Sequence, residues 1–124
     1  MLERNSIVTA LADFEASPLS RKRAMLLVLL IDAAVGLEAR RNAHPDVATV
    51  MDLAAMREDG PRLVLEPVTV SAADAPALPE ADYMVSLYNG GTVQRVRVAW
   101  PDGRRADALT VLRRAVAVLE REAR

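Results

Sequence analysis

The sequence predicts an α+β domain spanning residues 1–124: three N-terminal helices, a three-stranded antiparallel sheet, and a C-terminal helix packed on one sheet face. Three observations carry this reading. Before residue 60, apolar residues recur at helical spacing and are punctuated by Ser17-Pro18 and His44-Pro45, both helix-start signals. Between residues 62 and 100 the chain turns to Val- and Leu-rich runs broken by Asn89-Gly90-Gly91. After Pro101-Asp102-Gly103 a helical stripe returns.

The first helix should be capped by Asn5 or Ser6 and run to about Ala16, with Ile7, Val8, Leu11 and Phe14 on one face. Ser17 as N-cap and Pro18 at the first helical position then open a second helix over 18–41, where Arg40 and Arg41 suit the negative C-terminal end. His44-Pro45-Asp46 repeats that grammar for a third helix, which lasts to about Arg57 and closes at Gly60-Pro61. Its apolar face is Val47, Val50, Met51 and Ala54.

Residues 62–70 read as a strand, with Pro67 favouring a sheet edge or a bulge, and 71–82 as a loop holding Pro76 and Pro79. Residues 83–88 and 93–100 read as two arms of a hairpin. A turn at Gly90-Gly91 sets Val85 against Val96 and Tyr83 against Val98, whereas a turn at Asn89-Gly90 sets Val85 against Gln94. A one-residue slip exchanges faces, so the apolar pattern selects the first register, with Val85, Leu87, Val96, Val98 and Trp100 facing the last helix. That helix, 105–122, carries Leu109, Leu112, Val116 and Leu119 at helical spacing.

The segment 24–37 is apolar or glycine throughout except for Asp32, and it follows the basic triplet Arg21-Lys22-Arg23. A helix apolar on every side needs burial all round. In 124 residues this requires a core wrapped around it or a second copy of the chain, so a homodimer is expected, with Met25, Val28, Leu29, Asp32 and Gly36 in the interface. The run is shorter than the ~20 residues a membrane span needs, and no membrane role is expected.

Composition narrows the chemistry. Hydrophobic residues make up 52% but aromatics only 3%, so the core must be aliphatic and ring-lined ligand pockets are not expected. The absence of cysteine excludes disulfides, thiolate metal sites and a cysteine nucleophile, and suits a reducing, cytoplasmic setting. The single His44 excludes two-histidine metal sites, and no cofactor or metal is expected. Net charge is −1, giving no bulk attraction to nucleic acid. Fifteen of the sixteen cations are arginine, a bias that GC-rich coding produces without any phosphate ligand.

Single residues mostly have structural explanations. Asp32 inside an apolar helix costs several kcal/mol unless paired, so it should face a small wet gap or meet an arginine from elsewhere in the fold or from a second subunit. Gly36 and Ala39 narrow that side of the helix and suggest a helix crossing. Arg21, Lys22 and Arg23 sit where the helix dipole disfavours cations, and Asp13 and Glu15 are the nearest compensating acids. His44 reads as an exposed cap. No G-x-S-x-G, H-E-x-x-H, G-x-G-x-x-G or G-x-x-x-x-G-K pattern occurs, and Asn89-Gly90-Gly91 lies between strands rather than before a helix.

The expected function is therefore a small non-enzymatic protein–protein interaction or adaptor domain that self-associates and binds another protein. The alternative is nucleic-acid binding. From Pro45 onward the order helix, three strands, helix resembles double-stranded-RNA-binding domains, and Gly103-Arg104-Arg105 falls near the basic cluster of that family. Ala106, Asp107 and Ala108 interrupt the family's basic run, and the local patch of Arg95, Arg97, Arg104 and Arg105 is the candidate anion-binding set, expected to bind weakly at low salt. An enzyme using Asp32 or Glu66 is the third reading, and no two acids stand at a revealing spacing.

Overall fold

A computed structural model describes residues 2–41, 43–69 and 92–122. It shows an α+β arrangement of α1 (Leu2–Ala16), α2 (Arg21–Ala34), the short α3 (Leu37–Arg41), α4 (Pro45–Ala55), β1 (Arg62–Thr69), β2 (Thr92–Ala99), β3 (Arg105–Asp107) and α5 (Ala108–Glu122).

The second helix begins three residues later than the Ser-Pro signal predicts. The Ser17 amide donates to the Asp13 and Phe14 carbonyls at 3.1 and 3.0 Å, which commits Ser17 to the end of α1. Ser20 supplies the cap instead, its hydroxyl accepting the Arg23 amide at 3.1 Å. The expected continuous helix also breaks, at Val35-Gly36. In an unbroken helix the Asp32 carbonyl would accept the amide of Gly36. Here it accepts the Val35 amide at 3.3 Å and Nη2 of Arg40 at 2.6 Å, while Val35 turns extended and is buried in the core. Gly36 is consequently no crossing point: no described residue lies within 4 Å of where a Cβ would stand.

His44 caps α4 as expected, Nδ1 accepting the Asp46 amide at 3.2 Å with Pro45 at the start of the helix. Met56 ends α4 in the left-handed region, φ 51° and ψ 38°. This conformation is usually left to glycine.

The sheet has the order β1-β2-β3 and both pairings are antiparallel. Leu63 opposes Val98 and Leu65 opposes Val96 in one pairing, and Ala106 opposes Val98 in the other. The expected hairpin turn at Gly90-Gly91 and its arm at 83–88 lie outside the described residues. Val98, expected opposite Tyr83, has Leu63 on one side and Ala106 on the other. Residues 105–107, expected as the first turn of the last helix, form β3 instead. The Trp100 carbonyl accepts the Gly103 amide at 3.0 Å and the Arg104 carbonyl accepts the Trp100 amide at 3.1 Å. With Gly103 at φ +97°, this tight turn sends the chain back along β2. Asp107 then caps α5, its Oδ2 accepting the Thr110 amide at 3.0 Å and hydroxyl at 2.9 Å.

Val96 and Val98 do face α5, joining its buried stripe of Ala108, Val111, Leu112, Ala115, Val116 and Val118 in one core, with Trp100 packed partly buried beside them. The same core takes Phe14 from α1, Leu27, Val28 and Ile31 from α2, and Val50 from α4. Among the described residues no helix is long and apolar enough to cross a membrane.

Candidate binding surface

Helix α2 has two different sides. Ala24, Leu27, Val28 and Ile31 are fully enclosed by the chain's own core, whereas Leu26 and Leu29 are 51% and 42% exposed. Ala33 is exposed too, as is Lys22. The expectation of burial all round is thus met on one side only. Of the predicted interface residues, Val28 is corrected: it faces inward and has no surface to offer a partner. Leu29 lies on the outer side, and Met25 is half-buried at the margin of a groove described below. Asp32 is held by Arg40 of the same chain, with Nη1 to Oδ1 at 3.1 Å. Gly36 stands in the exposed break after the helix.

The groove, of about 520 Å³, is formed by the first half of α2, the end of α4 and the start of β1. Met25, Leu53, Met56, Pro61 and Leu63 give it an apolar lining, and Arg21, Lys22, Arg57 and Arg62 supply four cations. No acidic side chain lines it among the described residues. The compensation expected for the basic triplet from Asp13 and Glu15 is not made. Arg23 reaches the Asp13 backbone carbonyl at 3.1 Å, not its carboxylate, and Glu15 is engaged by Arg113 of α5 at 2.6 Å. Arg21, Lys22 and Arg62 make no ion pair among the described residues, and Arg57 has an exposed partner in Asp52 at 3.2 Å. The sequence signal for this site was the acid-free first turn of α2. Arg57 and Arg62 were not legible as members of it, because only the fold brings them to Arg21.

The four arginines proposed as an anion site separate into two environments. Arg95 and Arg97 lie with Arg105 on the sheet face away from α5, where Glu66 meets Arg97 Nη1 at 3.7 Å and Arg105 Nε at 3.3 Å. Arg97 Nε is buried without a hydrogen bond. Arg104 is elsewhere, over the Trp100 ring at 4.9 Å and bonded through Nε to Asp102 at 2.7 Å. The Arg104 amide, at 2.9 Å from Asp102, holds that carboxyl below its ordinary range, and the Arg104 side chain adds to the effect. Neighbouring acids therefore absorb much of this basic charge.

Among the described residues no three His, Asp or Glu side chains gather in a metal-binding group. The two acids weighed for catalysis are separate, Asp32 bound to Arg40 and Glu66 to Arg97 and Arg105. What the surface offers chemically is apolar contact and positive charge. No protein-family model, curated protein or solved structure matches the chain.

Proposed function

We propose that this chain is a non-catalytic interaction module that self-associates through the outer side of α2. The observation that carries the reading is the exposed series Leu26, Leu29 and Ala33, whose alternating spacings of three and four are those of a seam between paired helices. Lys22 extends the series by one further turn toward the N-terminus. Two copies laid antiparallel along this helix of roughly 21 Å bring each Lys22 to the C-terminal end of the other α2. That end has no basic residue in its own last turn, and apart from the Asp32 carbonyl, which Arg40 takes, its carbonyls offer the cation negative charge.

Sedimentation of the full chain at micromolar concentration tests this. The expected result is a dimer that becomes a folded monomer when Leu26→Glu and Leu29→Glu are combined. A wild-type chain that sediments as a monomer overturns the proposal.

A further inference from the structure

We infer that the groove between α2, α4 and β1 is a docking site for an acidic, amphipathic segment of a partner protein, bordering the self-association surface at Lys22. Charge complementarity carries the inference. Four cations border one concavity that no acid among the described residues lines, and three of them, Arg21, Lys22 and Arg62, have no ion-pair partner among those residues. Cations gathered at the start of one helix are disfavoured by its dipole, and an external anion relieves that repulsion. The Arg57–Asp52 pair is exposed on both sides, so Arg57 can exchange its partner at little cost.

The lining decides the class of ligand. Met25 and Met56 are flexible, polarisable side chains suited to receiving apolar residues of varied shape, and Met56 is 64% exposed at the rim. An amphipathic helix that presents its apolar face to the floor and its acids to the rim satisfies both features. Among the described residues the groove has no aromatic side chain on which a base could stack, which disfavours single-stranded nucleic acid. It is also concave, whereas insertion into a bilayer needs an apolar surface that projects.

The probe is a synthetic helical peptide of about sixteen residues, some four turns, with leucine at helical spacing and glutamate elsewhere. Controls are the same peptide with lysine for glutamate, a scrambled acidic peptide, an oligonucleotide and anionic phospholipid vesicles. Full-length protein carrying ¹³C-methyl methionine gives the readout. Met25 and Met56 should shift with the acidic amphipathic peptide, while Met51, which is near Arg40 at 3.4 Å and outside the groove, should not. Arg21→Glu combined with Arg62→Glu should weaken binding by at least about tenfold, since two attractive contacts become repulsive. Affinity should also fall as salt is raised.

The inference is overturned if the scrambled peptide binds equally well, if charge reversal leaves affinity unchanged in a variant with wild-type circular dichroism, or if only vesicles or oligonucleotide move the two methyls. Neither substituted arginine belongs to the Leu26–Leu29 series. A monomeric wild type that still binds the peptide would therefore sink self-association alone, and a dimer that ignores the peptide would sink docking alone.

Discussion

Met56 holds a backbone conformation that its side chain resists, at a cost of roughly 1 kcal/mol for a residue with a Cβ. Glycine removes that strain, so Met56→Gly should raise stability by up to about 1 kcal/mol, read as a higher urea midpoint at unchanged slope. It also deletes an exposed thioether from the groove rim, so peptide affinity should fall while stability rises. A variant that loses both would mean that Met56 is held by packing the structure does not display. Asp102 supplies a residue-scale pH dependence. Its carboxyl is held below the usual carboxylate range first by the Arg104 amide and then by the Arg104 side chain. A depressed folded pKa stabilises above the unfolded value, near 3.8, and that contribution is lost as pH falls through the folded value. Thermal midpoints of the wild type and Asp102→Asn should accordingly differ at neutral pH and converge in acid. Midpoints that stay equally far apart down to pH 2 would place the effect elsewhere.

At the scale of elements, the boundaries were legible where a cap and a proline agreed and misleading where two caps competed. His44-Pro45 starts α4 as read, whereas Ser17-Pro18 lies three residues from Ser20, and the Ser17 amide was already committed to the end of α1. Periodicity alone also joined α2 to α3, because apolar residues continue through the break and the Arg40 contact that takes the Asp32 carbonyl, eight residues away, leaves no signature in the apolar pattern. The third strand was missed for a similar reason: Arg105–Asp107 is too short for an alternating pattern, though Pro101-Asp102-Gly103 was a hairpin signal in its own right. The break makes a clear prediction. With open space at the Cβ position of Gly36 and no positive φ there, Gly36→Ala should stabilise by about 0.4–1 kcal/mol through the unfolded chain. A helix crossing at this glycine would give the opposite sign, so a lower thermal midpoint in the variant would restore that reading.

For the whole molecule, the sequence carried the α+β class and the inward face of β2, because those follow from periodicity. The groove did not follow, since it joins residues about forty positions apart whose proximity only the tertiary fold creates. The same distinction decides the nucleic-acid question. Net charge is −1, and the arginines closest to a basic cluster are already engaged: Arg97 and Arg105 by Glu66, and Arg104 by Asp102. A ligand must compete with those acids at each contact. Each phosphate neutralised adds nearly one counterion to the driving force, so affinity depends on how many cations are free to act together. Among the described residues the groove retains such a set, and three or four charges around one concavity do not track a duplex backbone. Duplex RNA is therefore expected to bind weakly at low salt and negligibly near 150 mM, where surface charges more than ~8 Å apart are largely screened. Titration of labelled duplex at both salt concentrations checks this, with Glu66→Gln as the informative variant. Releasing Arg97 and Arg105 from their acid should raise low-salt affinity severalfold if those arginines can reach phosphate at all. Micromolar binding by the wild type at the higher salt, lost on replacing Arg95, Arg97 and Arg105, would instead establish the sheet face as a nucleic-acid surface and displace the interaction-module reading.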